Sequence, residues 1–322
     1  MRLAAVFLVL AVLSCAGASA APWRPAAGAT EIALWPDSAH IEQPRPAHAE
    51  DTGLASRNVA GWPWRWVAYV NHPSMIIYPP RGHNTGAAVM VFPGGGYEVL
   101  AIDLEGTEVC DWLTARGITC VLLKYRVPGG GPWMDNSCHC RRIPTTPMAL
   151  QDAQRAMGLL RQRAASLHID PHKIGVVGFS AGGHVVAGVS NTSARAYARV
   201  DAADDLSSLP DFAMAIYPGH LWANADDPDK APPGDLTLAS DIHVSAQTPS
   251  TFLVMAEDDH VDGVRMALSY YMALRAVEAS VEMHLYAQGG HAFGVRRTDQ
   301  AITEWPALAE RWMRGLGVLP RH

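Results

Sequence analysis

This chain is short of basic charge. Its 25 lysines and arginines are outnumbered by 31 aspartates and glutamates, giving a net charge of −6. The two signs are interspersed, so no patch is built for nucleic acid and no polybasic run for an anionic membrane. Long hydrophobic runs are missing as well: the apolar stretch 4–13 is too short to cross a bilayer, which excludes stable membrane insertion through it. There are no internal repeats and no interdomain linkers. Cysteine is scarce, and the Cys138-His139-Cys140 tripeptide has no second ligand cluster nearby, so it reads as a disulfide-stapled loop and not as a metal site. No metal and no cofactor are expected. What remains is a chain of 322 residues, 49% hydrophobic, long enough to bury a full core as one large α/β domain.

Residues 1–20 follow secretory rules, with Arg2 as the positive start, an apolar core, and Ala18-Ser19-Ala20 as a small-residue cleavage site. The expected location is secreted or periplasmic. Cys15 raises a lipoprotein alternative, against which Leu13 stands where a small residue is expected. Beyond the signal, Cys110, Cys120, Cys138 and Cys140 form an even set in an oxidising destination. Three connectivities are open. Cys138 and Cys140 are too close in sequence to pair comfortably, so at least one of them is expected to pin its loop to Cys110 or Cys120.

Residues 21–58, rich in Pro and Ala and without periodicity, are expected to form an extended arm, leaving 59–322 as the main domain. Trp66–Val70 and Ser74–Tyr78 read as a hairpin of edge strands stopped by Pro79-Pro80. Apolar runs at 87–92, 119–125, 174–179 and 212–217 suit buried strands, and 251–256 and 281–286 read as the last two strands. Helical patterns alternate with them at 105–116, 148–167, 181–189, 261–277 and 301–316. Alternation of this kind gives a mostly parallel central sheet of about eight strands with helices on both faces. The Pro-rich segment 221–246 has the character of a lid.

The sequence turns on Lys173–His184, KIGVVGFSAGGH, in which a strand ends at Gly178-Phe179-Ser180-Ala181-Gly182 and runs straight into a helix. That is a Gly-x-Ser-x-Gly nucleophile elbow, with glycines flanking a serine whose hydroxyl must project from a tight turn. A serine needs a base, and the base a carboxylate to orient it. On this kind of sheet they follow in the order acid, then histidine. The strand 251–256 runs into Glu257-Asp258-Asp259-His260, which offers Asp259 as the acid with Asp258 as the alternative. The last strand runs into Gly289-Gly290-His291, which offers His291 as general base and acid. His184 and His260 read as structural. An oxyanion needs backbone N–H donors, and Ala181, Gly95 and Gly96 supply them, the last two from Pro93-Gly94-Gly95-Gly96-Tyr97. That loop is no phosphate cradle, since the Gly-Lys-Ser/Thr ending is missing. Tyr97 is the expected substrate contact.

With the elbow, PGGGY, AEDDHV and GGHAFG in hand, the chain resembles secreted α/β-hydrolases of the acetylxylan-esterase-like group, relatives of hormone-sensitive-lipase-like and feruloyl esterases. The likeness runs from Leu34-Trp35-Pro36 through YVNHPSMIIYPP to the last helix. It implies an α/β-hydrolase catalytic domain with nucleophile Ser180, acid Asp259, base His291 and an oxyanion hole at Gly95, Gly96 and Ala181. It also implies a serine esterase acting on an acetylated carbohydrate such as acetylxylan, or on a small ester. A feruloyl esterase or broad carboxylesterase is the alternative, and a non-catalytic binding protein of the same fold is the reading from another class. Two departures stand out. The acid's loop reads DDHVDGV where the group commonly has Val-Pro, which leaves Asp258 in contention, and the Cys138–Cys140 insertion is particular to this chain. The oligomeric state is left open.

Overall fold

A computed structural model describes residues 22–44, 48–128, 133–135, 140–142, 146–225 and 231–320. The signal segment 1–20 and Cys138 therefore lie outside the described residues. In chain order the strands are β1 (Thr30–Ala33), β2 (Asp51–Leu54), β3 (Arg65–Ala68), β4 (Ser74–Tyr78), β5 (Ala88–Phe92), β6 (Val99–Leu100), β7 (Thr119–Lys124), β8 (Trp133–Asp135), β9 (Cys140–Arg142), β10 (Ile174–Phe179), β11 (Phe212–Ile216), β12 (Ser250–Ala256) and β13 (Val281–Tyr286). The helices are α1 (Glu108–Thr114), α2 (Thr146–Arg163), α3 (Ala181–Asn191), α4 (Gly263–Ala276) and α5 (Trp305–Gly315).

Eight strands make the central sheet, in the order β1-β4-β7-β5-β10-β11-β12-β13. From β7 onward every pairing is parallel, while β1 and β4 join antiparallel at one end. The apolar runs explain the middle. Every residue of β5, β7, β10 and β11 is buried, as strands covered by helices on both faces must be, and each buried Val or Ile contributes about 1.5–3 kcal/mol. The edge strand β13 is only partly covered. No helix among the described residues is long and apolar enough to cross a membrane.

Three sequence expectations are corrected. The strands β3 and β4 do not form a hairpin: β4 lies between β1 and β7, and β3 pairs with β2 and β6 in a separate three-stranded sheet. The chain leaves β3 at Tyr69, whose φ is +56°, and the Val70 N–H goes to the Val127 carbonyl, so the two segments diverge. The arm, expected as an extended segment over the surface, is partly built into the sheets, supplying β1 to the central sheet and β2 to the small one. Finally, Cys110 on α1 and Cys120 on β7 are bonded to each other, with Cα atoms 5.1 Å apart. The turn at Gly117, φ +76°, folds the strand back on the helix and buries both sulfurs together, which removes both as partners for Cys138 or Cys140. Of Cys140 only the backbone, in β9, is described.

Helix starts also move. The expected helix at 105–116 begins as a π-turn at Asp103–Thr107 before α1. The expected helix at 261–277 begins only at Gly263, because Asp259 Oδ1 accepts the N–H groups of Val261 and Asp262 at 2.8 and 3.2 Å and holds them in a turn.

Candidate active site

The strand β10 delivers Ser180 at the carboxyl edge of the sheet, and α3 begins at the next residue. Ser180 has φ +51° and ψ −121°, a backbone geometry costing of order 1–3 kcal/mol that persists only where its surroundings enforce it. They do so through hydrogen bonds and space. The Ser180 N–H reaches the Ile216 carbonyl at 3.1 Å, and its own carbonyl accepts from Gly183 and Gly219 at 2.9 and 3.0 Å. A Cβ at Gly182 would overlap the Phe92 carbonyl, and one at Gly178 the Gly182 carbonyl. Both glycines of the elbow are therefore required by packing.

His291 and Asp259 arrive from the neighbouring strand ends, the loops after β13 and β12. His291 Nδ1 lies 2.7 Å from Asp259 Oδ2, and the Asp259 side chain is fully buried. Asp258 points elsewhere, its Oδ1 accepting the Gly290 N–H at 2.8 Å. Of the two acids left open by the sequence, Asp259 orients the imidazole and Asp258 orders the loop that carries it. Burial alone would lower the His291 pKa, but the hydrogen bond and charge of Asp259, with the charges of Asp262 and Glu105, outweigh it and hold it above the ordinary value.

Ser180 and His291 share a third neighbour that the sequence reading missed. The Ser180 hydroxyl donates to Asp262 Oδ2 at 3.1 Å, and the same oxygen lies 3.7 Å from His291 Nε2. Burial pushes the Asp262 carboxyl upward, and Asp259 adds to the push, while His291, His220 and the Ser180 hydroxyl oppose it. Its one sequence signal was the unusual DDHVDGV.

Ser180, Gly95, Gly96, Asp262 and His291 line one cavity of about 510 Å³. Gly95 has φ +130°, and a Cβ there would overlap the Val99 carbonyl. Ala181 is the first residue of α3, so its N–H has no intrahelical carbonyl to reach. The loop is tied down from beneath by Glu105, also unanticipated. Glu105 Oε2 accepts the Gly94 N–H at 2.7 Å and Oε1 accepts the Tyr217 hydroxyl at 2.9 Å, while that hydroxyl accepts the Gly294 N–H at 3.1 Å. Burial raises the Glu105 pKa, opposed by the His291 charge and these hydrogen bonds. The Tyr217 ring stands 4.9 Å from the imidazole, centroid to centroid, giving His291 an apolar wall.

Tyr97 is not where a substrate contact was expected. Positive φ angles at Gly95, Gly96 and Tyr97 turn its ring inward, where it is 2% exposed and lines a separate cavity of about 170 Å³ with His184 and Asp241. Its hydroxyl is 2.8 Å from His184 Nδ1, so the pair braces the loop from behind. His184 is buried and His260 exposed. Among the described residues of the 221–246 segment none lines the Ser180 cavity; Leu221, Trp222 and Ile242 are packed into the core.

An eight-stranded, mostly parallel sheet with serine, acid and histidine at its carboxyl edge defines an α/β-hydrolase. The BD-FAE family model matches residues 130–215, the stretch containing the elbow. The chain is 28% identical over 234 residues to the acetylxylan esterase of Xylanibacter ruminicola, a match covering 68% of this chain and 43% of that protein. The chain thus spans less than half of that relative's length. The crystal structure of the acetyl ester-xyloside bifunctional hydrolase from Caldicellulosiruptor lactoaceticus matches with a TM-score of 0.68 and 28% identity, over 90% of this chain and 97% of that one. A thermophilic esterase from Thermogutta terrifontis, at 20% identity and a TM-score of 0.61 over 78% of this chain and 92% of that one, shares the fold. The protein is an α/β-hydrolase, similar in sequence to an acetylxylan esterase and in structure to an acetyl ester-xyloside hydrolase.

Proposed function

We propose that the protein is a serine carboxylic ester hydrolase that removes acetyl groups from a carbohydrate such as acetylated xylan. The observation that carries the ester chemistry is the Asp259–His291 pair, 2.7 Å apart, whose His291 lines the same cavity as Ser180. Ser180 Oγ attacks the ester carbonyl and passes its proton to His291 Nε2, while Asp259 holds the proton of Nδ1 and balances the imidazolium. The developing oxyanion is met by the backbone N–H groups of Gly95, Gly96 and Ala181. The C–O bond then breaks, the alkoxide takes the Nε2 proton, and water repeats the sequence on the acyl-enzyme.

The substrate class is supported by the likeness to an acetylxylan esterase and to an acetyl ester-xyloside hydrolase. The secretory pattern of residues 1–20 agrees with a polymeric substrate met outside the cytoplasm. Acetate release from acetylated xylan, assayed beside ferulate release from methyl ferulate, tests the reading. Acetate should be released and ferulate should not; faster cleavage of the ferulate, or of octanoate over acetate esters, would defeat the acetyl assignment.

A further inference from the structure

The ester chemistry described above makes no use of Asp262, yet its carboxylate occupies the centre of the site. Its position is built, not incidental. The Asp262 N–H is held by Asp259 Oδ1 at 3.2 Å, and its side chain is 12% exposed. It packs against Gly219, where a Cβ would crowd the carboxylate oxygens. Trp64, His220 and Val261 share the cavity wall with it.

The two distances fix which half of an ester it meets. The substrate oxygen that must come close to His291 Nε2 is the leaving oxygen, because Nε2 protonates it. Asp262 Oδ2 is 3.7 Å from Nε2, so it lies on the alcohol side, within reach of a group on the carbon next to the esterified one. When substrate enters, the Ser180 hydroxyl turns to Nε2 and leaves Oδ2 an acceptor without its donor. A carboxylate offers only acceptors, and an alcohol half with nothing to donate would leave it desolvated at a cost.

We propose that Asp262 is a specificity-determining residue whose carboxylate accepts a hydrogen bond from the free hydroxyl vicinal to the esterified one. The alcohol subsite is thereby selective for neutral polyols, the chemical class of a partly acetylated sugar, and closed to anionic alcohols. This rests on the ester-hydrolase reading of the site, but not on any particular polysaccharide.

The test uses small acetates on the full chain. Ethylene glycol monoacetate and n-propyl acetate have nearly the same shape and differ by one vicinal hydroxyl. Wild type should favour the glycol ester in kcat/KM by about tenfold or more, after correction for their hydroxide-catalysed rates. Asp262→Ala should reduce that ratio to near one, and Asp262→Asn, which keeps one acceptor, should fall between. O-acetylglycolate, which carries a carboxylate on the alcohol half, should be poor for wild type and improve at least about tenfold relative to n-propyl acetate in Asp262→Asn. A wild type indifferent to the hydroxyl overturns the proposal whatever the variants do, and so does a preference that survives Asp262→Ala. If the small-ester ratio depends on Asp262 while acetylated xylan is left intact, the polysaccharide reading fails and this one stands. If acetylated xylan is cleaved while the ratio ignores Asp262, the reverse holds.

Discussion

Asp259 and Asp262, three residues apart, stand at opposite nitrogens of one imidazole: Asp259 Oδ2 is 2.7 Å from His291 Nδ1 and Asp262 Oδ2 is 3.7 Å from Nε2. The nearer, fully buried carboxylate fixes the ring, and the farther one faces the cavity. Single substitutions should therefore separate the acids of this loop. Asp259→Asn should lower kcat by about 10³–10⁴-fold by destabilising the tautomer that leaves Nε2 free. Asp258→Asn, which disturbs only the Gly290 N–H bond, should cost about tenfold or less. Steady-state kinetics on an acetate ester decides it, and equal losses would mean the acids are misassigned.

The same flanking charges set the pH dependence. His291 must be neutral to accept the Ser180 proton, and its pKa lies above the ordinary 6.5 because Asp259, Asp262 and Glu105 outweigh the effect of burial. The kcat/KM of the free enzyme should thus rise with pH along a limb centred above 6.5. Asp262→Asn removes one of the negative charges and should move that limb to lower pH. A limb that does not move shows that Asp262 exerts no charge on the ring.

Glu105 holds the Gly94 N–H and the Tyr217 hydroxyl in a fully buried spot. Glu105→Ala leaves both without an acceptor and should destabilise the fold by about 1–3 kcal/mol, while slowing catalysis through the loosened glycine loop. Thermal unfolding with parallel kinetics checks this. The Ala variant should melt below Glu105→Gln, which retains one acceptor. Equal melting temperatures would contradict the bracing role.

The Cys110–Cys120 bond closes a loop of sequence separation 10. Its removal by the double Cys110→Ala, Cys120→Ala variant should lower unfolding free energy by about 2–4 kcal/mol in denaturant titration. Both thiols should also resist maleimide in the unreduced, denatured wild type. Labelling at either one without reductant would refute the pairing.

The parallel strands and the elbow were legible because their requirements are local. A strand buried on both faces reads as an apolar run, and the glycines around Ser180 are dictated by carbonyls a few ångströms away. His291 was legible from its place after the last strand. Partner choice was not local: β4 reads as an edge strand of a hairpin, yet it is inserted between β1 and β7, a pairing fixed by residues 40 positions or more away. Buried carboxylates were harder still. Glu105 looks like an ordinary residue of an amphipathic helix, and only Gly94, Tyr217 and a π-turn make it an internal anchor. Asp262 falls inside the expected helix 261–277, and its role depends on where Ser180 points. Tyr97 was misjudged because a run of positive φ angles reverses the direction its neighbours suggest.

Labelling with a fluorophosphonate tests the central claim most directly, since only a serine activated by its own base and oxyanion donors reacts readily with it. Wild type should be labelled, with the adduct mapping to Ser180, and both Ser180→Ala and His291→Ala should be silent. An unlabelled wild type, or an adduct on any other residue, would contradict the account.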